Sequence, residues 1–253
     1  MERTVRDVED VLRLMDGLFA AEADRWTQAG GSDWWDGFYA DRDRPIPFFS
    51  DRPDENLADW IDRGLILPGR VLELGCGPGR NAVHLAARGF TVDAVDLSPA
   101  AVAWALERAE LAGVRLGLHC GDVFALAGPQ GPLRGPYDLV YDSGCFHHLP
   151  PHRRISYLRL LRRVLAPGGA FGLTCFASGA MGSELPDEAF YRNARLHGGL
   201  AYSPESLRWI FAELTEVELR RMRDEPEDSD CFGEGFLWTA LFRAGAGERA
   251  AAL

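Results

Sequence analysis

Two rhythms of apolar and polar positions alternate along the chain from residue 57 onward. Short apolar runs at Val71–Leu74, Thr91–Asp96, Val114–Cys120, Tyr137–Asp142 and Ala170–Phe176 read as buried strands. Between them, Arg80–Arg88, Ala100–Leu111 and Pro151–Leu165 carry apolar residues at helical spacing. Ser98 and Pro99 offer an N-cap and an N1 proline to the second of these helices, and Gly113 stops it. Pro167-Gly168-Gly169 is expected to stop the third. Leu57–Arg63 predicts a short helix leading into the first strand, and Ala125–Pro136, rich in glycine and proline, predicts loop. Ala177–Ala201 breaks the rhythm as an insertion before a helix that opens at Ser203-Pro204. Glu216–Arg223 and Phe236–Arg243 predict two closing strands around the acidic loop Asp224–Glu234. Such alternation requires a mostly parallel sheet with helices on both faces, an α/β doubly wound, Rossmann-like architecture.

Upstream the pattern differs. Thr4–Ala29 places Val8, Val11, Leu12, Met15, Leu18 and Phe19 near helical spacing and predicts one amphipathic helix. Trp34–Phe49 is dense in aromatics, contains Pro45 and Pro47, and predicts an irregular segment. It reads either as an apolar strap over the core or as a lid over a site. The expected organisation is therefore residues 1–56 as a helix and aromatic lid segment packed on the core, 57–244 as the main domain, and 245–253 as a flexible tail.

Composition narrows the function classes. The chain has 253 residues with 47% hydrophobic content, enough for one large α/β domain with additions. A formal charge of −11 argues against nucleic acid and against an anionic membrane surface as partners. All 27 basic residues are arginine, so no lysine is present for a Schiff base, a P-loop or a kinase phosphate contact. Five scattered cysteines without a C-x-x-C pair predict reduced thiols. With no apolar run near the ~20 residues of a membrane span and a charged, helix-like start, they predict a cytoplasmic protein.

The stretch Val71–Gly79 (VLELGCGPG) joins a strand, a glycine turn and a helix N-terminus, where free N–H groups and the helix dipole favour a polar or anionic ligand. Gly75 and Gly77 fit a dinucleotide fingerprint, but its third glycine is displaced to Gly79 and Arg80 stands in its place. Glu73 and Asp96 end their strands as acids, as do Asp122, after Gly121, and Asp142. Ligands in open α/β sheets bind at these carboxyl ends. An N-cap or a solvated loop is the alternative for any one acid.

Glu-x-Gly-x-Gly-x-Gly, together with Asp96, Gly121-Asp122, the Tyr137–Asp142 strand and Leu165-Ala-Pro-Gly-Gly169, resembles the class I methyltransferases that use S-adenosylmethionine (AdoMet). Trp34–Phe49 and Asp142–His148 are similar to the small-molecule branch that includes thiopurine and tellurite-resistance enzymes. The resemblance implies a seven-stranded sheet, methyl transfer by in-line displacement to a small-molecule acceptor at an O, N or S atom, and S-adenosylhomocysteine as product. It implies cofactor contacts from Glu73, Gly75, Cys76, Gly77, Gly79 and Asn81. Asp96 would take the ribose hydroxyls, Leu97 the adenine face, Asp122 and the Val123 N–H the adenine edge, and Asp142 with Ser143 the methionine ammonium side. His147 and His148 follow the fourth strand, as a general base or as packing against the cofactor. Trp34, Trp35, Tyr39 and Phe146 are expected at the substrate and lid. No metal is expected, since Pro150 and Pro151 break any helical spacing of His147, His148 and His152. Cys76 and Cys145 read as structural thiols, and the arginines of Pro151–Leu165 as a solvated face. A peptide or protein acceptor, a non-catalytic AdoMet binder and an NAD-dependent oxidoreductase are the competing readings. The oligomeric state is not legible.

Overall fold

The computed structural model describes residues 3–247; the predicted tail lies mostly outside them. Seven strands form one sheet: β1 (Arg70–Leu74), β2 (Thr91–Asp96), β3 (Gly117–Cys120), β4 (Tyr137–Ser143), β5 (Leu165–Phe176), β6 (Thr215–Arg221) and β7 (Leu237–Arg243). Their order is β3-β2-β1-β4-β5-β7-β6, with β3 to β5 parallel and β7 antiparallel to both neighbours. The winding reverses between β1 and β4, and the crevice at that switch point opens at the carboxyl ends of the strands.

Period-two alternation sorts the strand residues between two cores. Val71, Val92, Ala94, Leu139, Tyr141 and Leu241 face one side, packed with Leu57 and Trp60 of α3 (Glu55–Asp62) and Ala82 and Leu85 of α4 (Arg80–Ala87). Leu72, Leu74, Val95, Val140 and Phe171 face the other, under Tyr157, Leu160, Leu161 and Val164 of α7 (Arg153–Val164) and Leu207 of α9 (Pro204–Ile210). Helix α5 (Pro99–Leu111) starts on the predicted Ser98 cap, whose side chain accepts from the Ala101 N–H. A short α6 (Val123–Leu126) precedes the glycine-proline loop, and α8 (Asp187–Asn193) lies inside the insertion.

Three expectations need correction. The helix predicted over Thr4–Ala29 is broken: α1 spans only Val8–Asp16, opened by a capping box between Asp7 and Asp10. Downstream, Asp24 Oδ1 accepts from the N–H groups of Trp26 and Thr27, a local turn that competes with helix. Trp34–Phe49 is not irregular throughout, because α2 (Gly30–Tyr39) is a helix despite its glycines. Tertiary contacts overrule the low propensity: Asp36 Oδ1 accepts from Ser98 Oγ and the Ala100 N–H at the start of α5, and Ser32 Oγ donates to the Leu97 carbonyl. Trp35, Phe38 and Tyr39 then pack with Phe49 against α5. Finally, the strand predicted from Ala170 begins at Leu165, directly after α7, and Pro167–Gly169 lies inside β5 where its pairing with β4 is interrupted between Leu165 and Ala170.

The arginine-rich helix α7 is only partly solvated. Arg159, Arg162 and Arg163 are exposed, but Arg153 is buried and clamps the N-terminal segment to the core. Asp16 Oδ1 accepts from Trp26 Nε1 at 2.7 Å, from Arg153 Nε at 3.0 Å, and pairs with His152 Nε2 at 2.8 Å. Burial acts to raise the Asp16 pKa, but hydrogen bonds from His152, Arg153 and Trp26 outweigh it and hold the group down to about 2. A depressed carboxyl stabilises the fold above its ordinary value, and that contribution is lost as pH falls through about 2. Replacing Asp16 with alanine leaves buried Arg153 with Glu9 as its remaining carboxylate and takes the acceptor from Trp26 and His152, and urea denaturation at pH 7 should show a loss of about 2 kcal/mol. At pH 2 the difference from the parent protein should shrink.

Candidate functional site

The carboxyl ends of β1, β2 and β4 and the N-terminal segment enclose a mainly apolar cavity of about 390 Å³. Of the residues singled out above, Glu73, Gly75, Cys76, Gly77, Asn81, Asp96, Leu97, Asp122, Val123, Ser143, His147, His148, Trp35 and Tyr39 line it. Four do not, each for a structural reason. Gly79 caps α4 at φ 79°, and a Cβ there would lie 2.8 Å from Ala105 Cβ, so this glycine serves helix packing. Asp142 is fully buried: its Oδ1 accepts from the N–H groups of Cys145 and Phe146, and its Oδ2 from Tyr157 Oη at 2.7 Å. Phe146 is buried among Tyr157, Tyr202 and Phe211 rather than facing a substrate. Trp34 turns outward, with the Arg25 guanidinium 3.7 Å from its ring centroid.

At the glycine turn, Gly75, Gly77 and Gly79 all take positive φ, which only glycine adopts without strain. A Cβ on Gly77 would stand 2.9 Å from Tyr39 Oη, so the turn and α2 meet there. Asp96 Oδ2 accepts from the Gly77 N–H at 2.8 Å and Oδ1 from the Ser98 N–H at 2.9 Å. Burial nevertheless pushes the Asp96 carboxyl up to about 6. Glu73 has one oxygen, Oε2, buried with no hydrogen-bond partner among the described residues. Burial, opposed by Arg80, pushes its pKa to about 8. A carboxyl in that condition is built to receive a donor from something that enters the cavity. Asp122 caps α6 through its Oδ1 and the Phe124 N–H, its pKa raised by burial. The Val123 N–H beside it has no partner within the helix, by its position at the first turn.

Under this end runs a buried polar network absent from the sequence reading. Arg80 Nη1 pairs with Asp54 Oδ1 at 2.5 Å, and Asp54 Oδ2 accepts from Tyr141 Oη and Asn81 Nδ2. Asn81 thus spends its amide on the scaffold. Arg80 also lies over Phe232 and donates to Ser143 Oγ at 3.1 Å.

The remaining wall is aromatic and aliphatic: Trp26, Ile46, Phe48, Phe176, Met181, Phe236 and Leu237 join Trp35 and the two histidines. The His147 ring stacks on Phe176 at 3.6 Å, and His148 meets Trp35 edge to face at 5.0 Å. Burial drives His147 well below the ordinary imidazole range, and burial followed by the Arg25 charge takes His148 down to about 4. Both rings are neutral at pH 7 and are weak bases. Burial pushes the Cys76 and Cys145 thiols up, away from nucleophilic thiolate. None of the acids in Asp224–Glu234 lines the cavity; that loop contributes Phe232, while Arg52 grips its carbonyls. Phe176 was within reach of the sequence, since it ends a predicted strand. Arg25, Trp26 and Met181 carried no such signal. Among the described residues no group of three His, Cys, Asp or Glu is placed to hold a metal, and no helix is long and apolar enough to cross a membrane.

Comparison with known proteins agrees with this geometry. Residues 71–169 match a family described as a methyltransferase domain. An uncharacterised methyltransferase of Synechocystis sp. is 38% identical over 49% of this chain and 52% of its own length. The 2-heptyl-1-hydroxyquinolin-4(1H)-one methyltransferase of Mycobacteroides abscessus is 27% identical over 55% of this chain and 60% of its own. The chain thus spans little more than half the length of these curated relatives. Among solved structures, the 1,6-didemethyltoxoflavin N1-methyltransferase of Burkholderia thailandensis superposes with a TM-score of 0.56 over 97% of this chain and 93% of its own, at 19% identity. The match over residues 71–169 to the methyltransferase-domain family thus falls on the glycine turn and on β1 to β4 with the start of β5, the strands that form the crevice.

Proposed function

We propose that the protein is an AdoMet-dependent methyltransferase acting on a small molecule. The observation that carries this reading is a single cavity that joins a glycine turn ringed by Glu73, Asp96 and Asp122 to an aromatic wall. The residues fit the cofactor: the unpartnered Glu73 oxygen suits an ammonium or hydroxyl, Asp96 the ribose hydroxyls, Leu97 the adenine face, and Asp122 with the Val123 N–H the adenine edge. When bound, AdoMet supplies an activated methyl group on a sulfonium. The chain's own contribution is alignment and exclusion of water. Trp35, Ile46, Phe48 and Phe176 hold the acceptor, and His147 and His148 serve as neutral ring contacts rather than as a strong base. The N-terminal segment acts as a lid, with Tyr39 seated over Gly77. Relatives named for small ring substrates, such as the hydroxyquinolone enzyme, support a small-molecule acceptor.

Calorimetry with S-adenosylhomocysteine should give micromolar binding, ~8 kcal/mol at 1 μM. Heat with NAD and none with this ligand would overturn the reading. Asp96→Ala should weaken binding by about 2 kcal/mol while the protein stays folded, because charge-assisted contacts to two hydroxyls are lost.

Glu73 gives a second test. Its raised pKa means that the free protein loses stability as pH climbs from its ordinary 4.5 toward about 8, with no further loss above. Glu73→Gln should remove that decline, so its unfolding midpoint should exceed the parent's at pH 8 yet match it at pH 4. The same variant should bind S-adenosylhomocysteine more weakly. A parallel pH dependence in both proteins would detach Glu73 from this role.

The lid predicts protection. Saturating S-adenosylhomocysteine should slow trypsin cleavage after Arg42 and Arg44, and equal rates with and without it would reduce the segment to packing.

A further inference from the structure

Two arginines line the cavity, and they are differently placed. Arg80 is ion-paired with Asp54, whereas Arg25 makes no ion pair among the described residues. The Arg25 Nη1 donates to the Glu22 and Asp24 carbonyls, both at 2.9 Å, and its guanidinium lies on the Trp34 ring. The carboxylate next to it, Asp24, is taken up by its own turn with Trp26 and Thr27. Arg25 is also tied to the aromatic wall, because its carbonyl accepts from Trp35 Nε1 at 2.9 Å. Trp35 in turn stands against His148. An aromatic wall and a guanidinium that no carboxylate pairs with among the described residues therefore border the same cavity, in a protein whose net charge is −11.

Resting on the methyltransferase reading, we infer that the acceptor is an aromatic anion, a flat ring that enters already ionised and whose charge is met by Arg25. Aromatic faces select the ring, and a guanidinium without an ion-pair partner among the described residues selects its charge. Partial burial, opposed by Asp24, lowers the Arg25 pKa, in keeping with a cation held short of counter-charge. The chemistry balances without a base. A lone pair of the ionised ring atom forms the bond to the methyl carbon as the carbon–sulfur bond breaks, and the electron pair of that bond stays on sulfur. The sulfonium becomes a neutral thioether, the anion becomes a neutral methylated ring, and no proton is transferred. That suits a wall whose two histidines are neutral and weakly basic. The product has lost the charge that Arg25 held, which favours its release.

The test uses full-length protein saturated with S-adenosylhomocysteine, titrated with 4-nitrophenolate and with its neutral methyl ether. The anion should bind at least tenfold more tightly than the ether. Arg25→Gln should abolish that preference while leaving S-adenosylhomocysteine affinity unchanged, which also reports an intact fold. Arg25→Lys should retain part of the preference. Equal binding of anion and ether by the parent protein, a preference that survives in Arg25→Gln, or no binding of either ring to the saturated protein would overturn the proposal. Failure of S-adenosylhomocysteine itself to bind would overturn the methyltransferase reading on which it stands.

Discussion

Four carboxylates, Asp54, Glu73, Asp96 and Asp142, are almost wholly removed from water at or beside the carboxyl ends of β1, β2 and β4. Everything near the cavity is arranged around the cost of keeping them there. Three are satisfied from within. Asp54 has Arg80, Tyr141 and Asn81; Asp96 has two backbone N–H groups; Asp142 has two more and the Tyr157 hydroxyl. Asp54 Oδ1 has no hydrogen bond but lies against the Arg80 charge, whereas Glu73 Oε2 is buried with neither a hydrogen bond nor an ion pair among the described residues. The fold tolerates this at the turn where a ligand with donors is expected, a local loss of stability retained for binding.

The glycine turn is bound up with the same electrostatics. Gly75 and Gly77 take positive φ at this turn, and the Gly77 N–H is the donor that holds Asp96. A side chain on Gly77 would collide with Tyr39. Turn, acid and aromatic segment thus constrain one another, so none moves independently of the others.

The N-terminal segment is joined to the domain by polar contacts at defined points rather than by a broad apolar face alone. Asp36 engages the start of α5, Ser32 reaches the Leu97 carbonyl, and Asp16 bridges to α7 through His152 and Arg153. Directional bonds fix orientation where apolar packing would allow sliding. They bring Trp26, Trp35 and Tyr39 to the cavity and give one site two chemistries, acids and backbone donors beside a wall of rings.

By itself the sequence determined the parallel sheet, its crevice and the acids around the glycine turn. Those features are local: period-two runs, caps such as Ser98 and strand-end residues such as Glu73 and Asp96 are written within a few positions of where they act. The helix over Gly30–Tyr39 was not legible, because its glycines argue against helix and its support comes from Ser98 and Ala100, more than sixty residues away. Nor was it legible that Asp142 and Phe146 would turn inward while Arg25 reaches the cavity. Asp142 and Phe146 stand at or just past a predicted strand end, where a one-residue change of direction separates core from crevice, and Arg25 stood within the helix predicted over Thr4–Ala29 that the structure breaks. The buried pairing of Arg80 with Asp54 and of Arg153 with Asp16 joins residues 26 and 137 positions apart. Only the tertiary structure decides such pairings, because a charge leaves water only where a partner has already been brought to it.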